Sequence, residues 1–582
     1  MIDRRKVAAR LDPGMAEGLE LDVAIVGAGA AGLYTGYRLA TGERERRGRR
    51  PKVSLFELGD RIGGRLHSVE LPGLQFYGEL GGMRYMTSMG IVTALIEKVF
   101  KSELDHVDFS MGDPASHYFY LRKQRFMADA WTQAQKLDKK FKTRYALNSG
   151  DVGFSSDQLF SKVTYDVLMA DPAVKAKYAK KLLHPTKYDY EIQLTGRDWD
   201  AIKPELRYHF PGPYEGRPVS ELGYWNLLTD QLSQEGLQFL ADAGGYYSNT
   251  INWNAAEAIQ QIVGDFFGPV SYRTIAGGYD QVLYALAKAL LDKRVKIWKQ
   301  NGVVGVRPAP AGSPRRYELK LANQASGREW IVHADAVVLA MPRRSLELLD
   351  MYPNYLSLYD GPEGATFRQA VSSTIIQQSM KILMGFEEPW WTKDFGATAG
   401  ESITDLPMRQ CYYFGTDPEK DSHSLFLSSY NDIDTVSFWS ALEQDELFQP
   451  RATRLVSQGD VDAVSEYQAP QVMIDESMAQ VRELHGHQPY EIPDPYVTWF
   501  KDWAHEPYGG GYHAWNPDVS VRDVMRYMRK PRADEAIHVV GEAYSDQQGW
   551  AEGAFCVAEL LLRDHFEMKP AAFIPKSYYL GW

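Results

Sequence analysis

The chain is poor in cysteine and has no long apolar runs. Its 582 residues include only Cys411 and Cys556, too few for a disulfide framework or a zinc site of clustered thiolates. No uninterrupted apolar stretch approaches the roughly 20 residues that a membrane-spanning helix needs. The N-terminal segment also lacks the apolar block of a secretory signal. These absences predict a cytoplasmic protein without a membrane partner or a metal centre.

Excess positive charge is missing as well. The formal net charge is -12, which argues against nucleic acid as a partner bound through net charge. Apolar residues make up 44% and charged residues 24% of the chain, as in ordinary globular proteins. The length allows two or more domains, each with its own core.

A β-α-β unit is predicted near the N-terminus. Leu21 to Val26 reads as a buried strand that runs into the segment GAGAAG at 27–32, and a helix follows to about Ala40. A second strand is predicted from Val53 to Glu57. Glycines at these spacings allow a tight turn, a close approach to a pyrophosphate and close packing of the helix on the sheet. The pattern predicts a dinucleotide site.

The residues after the second strand favour FAD over NAD. Glu57 lies 25 positions beyond Gly32, where a carboxylate can accept hydrogen bonds from the ribose hydroxyls of an adenosine. The segment RIGGR at 61–65 then brings a second pair of glycines and an arginine close to that position. The two glycines and the arginine extend the phosphate-binding segment beyond what an NAD site contains.

The rest of the chain predicts a divided nucleotide domain. Helical spacing dominates from about 120 to 260, and strand signals return at 295–306, 317–321, 336–340 and 537–540. We predict a FAD-binding domain in three parts (20–118, 263–345 and 526–568), a helical insertion with part of the substrate domain (119–262), and a substrate-binding domain (346–525).

Four segments in order resemble a known family. They are GAGAAG at 27–32, ELGDRIGGR at 57–65, ELGGMRY at 79–85 and GEAYSDQQGWAEGA at 541–554, and together they are similar to the flavin amine oxidases. The resemblance covers about residues 20 to 565. It implies an α/β fold with a Rossmann-like FAD-binding domain of the glutathione-reductase type, a mixed-sheet α+β substrate domain of two layers, and a helical insertion.

The resemblance also implies which residues bind FAD. Glu57 is expected at the adenosine ribose, Arg65 at the pyrophosphate, Val303 at the adenine, and Glu542 at the ribityl or phosphate region. The cofactor-binding residues implied are Gly27, Gly29, Ala31, Gly32, Glu57, Gly64, Arg65, Gly82, Met83, Arg84, Val303, Glu542, Gly549, Trp550 and Ala554. Some family members attach FAD through a cysteine, but the corresponding segment 505–515 contains none, which implies noncovalent FAD.

Arg84 is the candidate for holding a substrate carboxylate. A guanidinium matches the two oxygens of a carboxylate better than an ammonium does. The resemblance to the L-amino acid oxidases of this family implies that Tyr430 supplies a second contact, from a strand expected within 424–439. Tyr412 and Tyr413 are competing candidates.

The rest of the substrate site is implied by the same resemblance. Trp499 and Trp550 would form aromatic walls, and the backbone of Gly549 would accept a hydrogen bond from the substrate amino group.

Lys381 stands out within an apolar strand. A buried ammonium is costly without a partner. The resemblance implies a water that bridges this lysine to the flavin N5 and assists reoxidation by oxygen, whereas the alternative is a lysine that reaches solvent from an edge strand. Lys381, Arg84 and Tyr430 are therefore the candidate catalytic residues, and no general base is assigned.

The predicted activity is that of an L-amino acid oxidase. An L-amino acid and O2 would give a 2-oxo acid, ammonia and hydrogen peroxide, through hydride transfer from the α carbon to flavin N5. An L-amino acid 2-monooxygenase that releases an amide and CO2 is the nearest alternative, and a polyamine or monoamine oxidase is a further one. A protein with a purely structural flavin would leave Lys381 unexplained. The family resemblance implies a homodimer.

Overall fold

The computed structural model describes residues 1–45, 49–266, 271–416, 423–443, 466–487 and 491–582. They form two large sheets, several small ones, and helices that pack against them. In these ranges every helix is too short or too polar to span a bilayer.

The first large sheet is the predicted nucleotide-binding sheet. Its strands lie in the order Lys296–Trp298, Val53–Phe56, Leu19–Val26, Glu329–Ala340, Tyr317–Asn323, Asn301–Pro308 and Tyr355–Leu356, and Ile537–Val540 also pairs with Glu329–Ala340. The pairings of Leu19–Val26 with its two neighbours are parallel, and Tyr317–Asn323 is antiparallel to both of its own. Strands from distant parts of the chain thus form one mixed sheet.

The sequence predicted this sheet well, with one correction. Residues 295–306, predicted as one continuous strand signal, form two strands, Lys296–Trp298 and Asn301–Pro308. The chain turns between them at Gln300, whose φ is +56°, a left-handed conformation that interrupts an extended strand. The helix Ala30–Thr41 follows the first strand as predicted.

The second large sheet carries three of the predicted site residues, Lys381, Tyr430 and Trp499. Its strands lie in the order Val497–Asp502, Ser379–Phe386, Ser424–Asp432, Gln410–Thr416, Glu401–Thr404, Tyr118–Leu121 and Gln124–Met127. The predicted strand within 424–439 ends at Asp432, because Ile433 has φ +51°, and residues Asp434–Glu443 form a helix. Tyr430 therefore lies on a strand as expected, but the second half of that segment is helical.

The region predicted to be helical contains seven described α-helices between 130 and 266. They are Ala130–Lys136, Ser156–Ala170, Pro172–Tyr178, Gly196–Ile202, Tyr224–Leu232, Gln234–Ala243 and Ala255–Phe266. They share a core rich in leucine, isoleucine and aromatic side chains, so this insertion is packed in its own right.

The remaining elements connect and cover the two sheets. The other α-helices are Arg4–Ala8, Gly90–Ala94, Gln281–Asp292, Arg343–Leu348, Gly361–Val371, Trp390–Phe395, Asp434–Glu443, Gln471–His485, Val521–Arg529 and Ala551–His565. Small sheets are formed by Ser68–Glu70 with Tyr77–Glu79, by Tyr85–Met86, Tyr272–Ile275 and His106–Asp108, by Thr374–Gln377 with Tyr512–Trp515, and by Leu182–Leu183 with Glu191–Ile192.

Candidate active site

A large cavity is lined by both sheets and by the helical insertion. Its volume is about 420 Å³, which is in the range of small-molecule sites. The predicted site residues that line it are Gly27, Gly29, Ala31, Glu57, Gly64, Arg65, Gly82, Met83, Arg84, Val303, Tyr430, Glu542, Gly549, Trp550 and Ala554. The fold therefore brings most of the predicted site together from both ends of the chain.

The glycine-rich segment presents bare backbone at one end of the cavity. Gly27 has φ +101°, and a Cβ there would lie 2.4 Å from the carbonyl oxygen of Ala340. A Cβ on Gly29 would meet nothing closer than the Cα of Gly64 at 3.9 Å. Gly32 does not line the cavity, but a Cβ there would lie 2.0 Å from the Gly27 carbonyl oxygen. Gly27 and Gly32 thus permit close packing, whereas Gly29 leaves room for a ligand.

The helix that begins at Ala30 points its N-terminus at this end of the cavity. Its N-cap, Gly29, provides no side-chain hydrogen bond, and the first N–H groups of a helix have no acceptor inside the helix. Together with the positive end of the helix dipole they form a site for an anion. The geometry fits a pyrophosphate group.

Glu57 lies at the cavity with unused hydrogen-bonding capacity. Its carboxylate accepts the N–H groups of Ala28 at 2.8 Å and Gly59 at 2.9 Å. Burial raises the pKa of Glu57, although these N–H groups act in the opposite direction. A carboxylate can accept about four hydrogen bonds, so two ribose hydroxyls can also be accommodated.

Arg65 and Glu542 were predicted separately, and the structure joins them as an ion pair. Arg65 Nη2 lies 2.9 Å from Glu542 Oε2, and Arg65 also donates to the carbonyl of Gly511 at 2.8 Å. Glu542 accepts the His513 N–H at 2.9 Å and the Gly549 N–H at 2.8 Å. Burial alone would raise the pKa of Glu542, but Arg65 and His513 hold it at about 2. The carboxylate therefore fixes the backbone of Gly549, a predicted substrate contact.

These features fit the FAD expected from the motifs. The cavity has a bare-backbone cleft, a helix N-terminus for a pyrophosphate and a carboxylate for a ribose. Cys411 and Cys556 are buried, and neither is among the described residues that line the cavity. No thiol is thus placed for a covalent bond to the flavin.

Arg84 is enclosed by aromatic rings. Its guanidinium carbon lies 4.3 Å from the ring centre of Tyr272, 5.2 Å from that of Phe109 and 5.7 Å from that of Tyr412. Its Nη1 donates to the Met111 sulfur at 3.0 Å, which is a weak acceptor.

Arg84 has no carboxylate partner within 4.0 Å among the described residues. Burial alone would lower its pKa, but Tyr412, Tyr246 and Glu401 keep the pKa above the ordinary value. A charged group in such surroundings is adapted to receive an anion.

Tyrosines form the wall beside Arg84. The rings of Tyr246 and Tyr430 meet edge to face, with centres 5.3 Å apart. Both line the cavity together with Tyr512 and Trp550. Tyr413, one of the competing candidates, lies in a separate core and is 2.8 Å from His485 Nε2. Of the tyrosines considered for the carboxylate contact, Tyr430 is the one that reaches the cavity.

Lys381 lies directly behind the cavity wall. Its strand Ser379–Phe386 is paired on both sides, so the lysine is not on an edge and does not reach solvent. Nζ donates to the Gly81 carbonyl at 2.5 Å and lies 4.5 Å from the ring centre of Tyr430. Burial lowers the pKa of Lys381, while the buried Glu79 carboxylate opposes this shift.

Trp499 does not lie where the family resemblance placed it. It is on the strand Val497–Asp502, where it pairs with Leu383, while Lys501 takes the position opposite Lys381. Trp499 is therefore two positions, or about 6.6 Å along the strand, from the residue that lies opposite Lys381. The indole packs against Tyr467, with ring centres 6.0 Å apart, and it is outside the cavity lining. The strand register therefore corrects this prediction.

Tyr512, which the sequence analysis did not single out, lines the cavity where Trp499 does not. A Cβ on Gly549 would lie 3.9 Å from Tyr512 Cδ2, so this ring borders the predicted amino-group contact. Tyr246 and Tyr272 were also missed. The sequence signal for Tyr512 is its position directly after the three glycines of GGGYHAW at 509–515.

Comparison with known proteins agrees with this geometry. A family model described as flavin containing amine oxidoreductase matches residues 30–556. Aplysianin-A from Aplysia kurodai is 26% identical over 94% of this chain and 90% of its own length. An L-amino-acid oxidase from Siganus canaliculatus is 23% identical over 91% of this chain and 82% of its own length.

Solved structures show the same fold. Putrescine oxidase, solved with putrescine bound, superposes with a TM-score of 0.57 at 16% identity, covering 94% of this chain and 99% of the putrescine oxidase chain. At this identity the likeness concerns the fold alone. Because the family model spans most of the chain and the cavity fits FAD, the chain belongs to the flavin-containing amine oxidoreductases.

Proposed function

We propose that this flavin amine oxidoreductase oxidises L-amino acids to 2-oxo acids, with release of ammonia and hydrogen peroxide. The observation that carries the proposal is Arg84, a cavity-lining cation that has no carboxylate partner within 4.0 Å among the described residues. A substrate amine that lacks a carboxylate would have no group for the Arg84 guanidinium to bind. Relatives named L-amino-acid oxidase, which match most of the chain, support the same conclusion.

The proposed pose has three contacts. The substrate carboxylate lies against Arg84 and the Tyr430 hydroxyl, since a guanidinium and a phenol can bind it together. The amino group faces the backbone of Gly549. Trp550 and Tyr512 enclose the α carbon and exclude water, so that most of the catalytic effect comes from positioning. When bound, FAD supplies the hydride-accepting chemistry.

The proposal includes no general base. Carboxylates that line the described part of the cavity, Glu57 and Glu542, are held by backbone N–H groups at the cofactor end. No histidine is among the described residues that line the cavity. The α-amino group would therefore bind in its neutral form. We assign Lys381, behind Gly81 and Tyr430, to the oxygen-consuming half of the reaction.

The test is a substrate screen with the purified holoprotein. Peroxide formation would be measured with each of the twenty L-amino acids, their D-isomers and putrescine, while products are analysed for 2-oxo acid and amide. Peroxide and 2-oxo acid in equal amounts, from L-isomers only, is the expected result. Amide without matching peroxide would identify a monooxygenase. Activity on putrescine alone would overturn the role given to Arg84.

A further inference from the structure

Asp432 is a buried carboxylate directly behind the wall of the cavity. It is the last residue of the strand Ser424–Asp432, two positions beyond Tyr430, and its side chain is fully buried. Its carboxylate forms no ion pair with any residue in the described ranges. Burying a carboxylate costs free energy unless hydrogen bonds compensate for the lost water. The groups that donate hydrogen bonds to Asp432 therefore indicate its structural role.

The partners of Asp432 come from two other segments of the chain. Oδ1 accepts the N–H of Tyr247 at 2.9 Å, and Oδ2 accepts the N–H of Ser248 at 2.9 Å. Oδ2 also lies 3.1 Å from the hydroxyl of Tyr512, which is in turn 3.0 Å from Ser248 Oγ. One carboxylate thus joins the substrate strand, a turn of the helical insertion and the strand Tyr512–Trp515.

Each of the joined segments contributes side chains to the cavity. The insertion turn supplies Tyr246, Ser248 and Asn249, the substrate strand supplies Tyr430, and the third segment supplies Tyr512. The segments are far apart in sequence, and in the described ranges the strands Ser424–Asp432 and Tyr512–Trp515 belong to different sheets. Asp432 is a point at which their relative positions are fixed by charge-assisted hydrogen bonds, which are stronger and more directional than neutral ones.

We propose that Asp432 is a positioning residue for substrate binding: it holds the Tyr512 ring and the Tyr246–Asn249 turn in place against Tyr430. This inference rests on the proposed function, because it takes the tyrosine wall as the place where the substrate binds. Asparagine at this position would keep the size of the side chain. Its NH2 group, however, would face an N–H donor, so one of the three contacts would be lost and the wall would shift.

The test compares Asp432→Asn with a matched control in the holoprotein. The control is Asp171→Asn: Asp171 is also buried, and it accepts the N–H groups of Ala173, Val174 and Arg207 at 2.8 to 3.1 Å. None of these residues lines the cavity. Both variants should lose thermal stability, so a change in Tm alone does not distinguish them.

The distinguishing measurement is steady-state KM and kcat for the best substrate found in the screen, with the flavin content determined for each variant. We expect Asp432→Asn to raise KM by about tenfold or more with a smaller change in kcat, and Asp171→Asn to leave KM within about twofold of the wild type. An unchanged KM in Asp432→Asn, or an equal rise in both variants, would overturn the proposal.

Two further variants keep the test decisive if Asp432→Asn does not fold. Tyr512→Phe keeps the ring and removes the hydroxyl that reaches Asp432, and Ser248→Ala removes the hydroxyl beside it. Each should raise KM, and together they should raise it less than the product of the two single effects, because both act through one network. If neither changes KM, Asp432 does not position the wall.

This outcome differs from a failure of the proposed function. If the screen finds an amine rather than an amino acid as substrate, KM for that amine tests the positioning role in the same way.

Discussion

The Arg65 guanidinium and the Glu542 carboxylate form an ion pair, with Nη2 and Oε2 2.9 Å apart. Arg65 follows the second glycine pair near the N-terminus, and Glu542 follows the last strand of the nucleotide sheet. Because Glu542 also holds the Gly549 N–H, this pair links the phosphate end of the cavity to the predicted substrate end. One buried carboxylate therefore contacts both the arginine expected at the pyrophosphate and the glycine proposed to bind the substrate amino group.

Replacing Glu542 by glutamine should reduce stability in a manner that depends on pH. The folded-state pKa of about 2 lies below the ordinary value of 4.5. The carboxylate thus contributes stability that is fully present above about pH 4.5 and is lost as the pH falls through about 2. This shift corresponds to about 3 kcal/mol at neutral pH.

The measurement is Tm from pH 8 down to pH 3 for the wild type and for Glu542→Gln. The difference should be constant above about pH 5 and should shrink on acidification. Glu506→Gln, which breaks an exposed ion pair with Arg344, is the control and should change Tm little. A difference that grows on acidification would contradict the assignment.

Two glycines of the nucleotide segment should respond differently to alanine. Gly27→Ala places a Cβ 2.4 Å from the Ala340 carbonyl oxygen at φ +101° and should destabilise the fold itself. In Gly29→Ala the nearest described atom to the new Cβ is the Gly64 Cα at 3.9 Å, and Gly29 has an extended backbone that alanine adopts. Gly29→Ala should leave the apoprotein Tm unchanged and weaken FAD binding, because the added methyl group occupies space needed by the pyrophosphate.

Apoprotein Tm and FAD titration together separate these two effects. Equal loss of apoprotein stability in both variants would show that Gly29 serves packing rather than the cofactor.

Arg84→Met should impair oxidation of amino acids but not of the corresponding amines. Removing a charge-assisted contact to a carboxylate costs about 1.5–3 kcal/mol, which raises KM for the L-amino acid by roughly 10- to 100-fold. The amine that results from decarboxylation of the same amino acid lacks the group that Arg84 binds, so its weak activity should not fall further. A parallel loss on both substrates would mean that Arg84 acts through the structure of the wall.

Lys381→Met should slow the reaction of the reduced enzyme with oxygen more than its reduction by substrate. In the proposed role, loss of this buried group should cost about 10²-fold in the rate of the oxygen reaction, as loss of a preorganised donor does in other active sites. Lys501→Met is the matched control, because Lys501 pairs with Lys381 across the neighbouring strand without its contact to Gly81. Stopped-flow measurement of both half-reactions distinguishes the two lysines.

The pH dependence of this step should have a definite direction. Burial lowers the pKa of Lys381, so the ammonium loses its proton nearer neutrality than an exposed lysine does. In the wild type the rate of reaction with oxygen should fall as the pH rises through that pKa, and in Lys381→Met it should be flat. If the rate of reaction with oxygen in Lys381→Met still falls with rising pH, the pH dependence belongs to another group.

The sequence by itself determined the local parts of the nucleotide site. The spacing of Gly27, Gly29 and Gly32 sets a turn and a helix N-terminus within a few residues, and Glu57 follows at the end of the next strand. Local geometry of this kind depends on backbone conformations that glycine alone adopts easily, so it can be predicted from composition and spacing.

Only the tertiary structure decided which distant residues meet. The pairing of Val497–Asp502 with Ser379–Phe386 moves Trp499 out of the cavity. The packing of the insertion brings the N–H groups of Tyr247 and Ser248 to Asp432. A shift of two positions in strand register displaces a side chain by about 6.6 Å. Register follows from the packing of whole sheets, which a motif of a few residues does not contain.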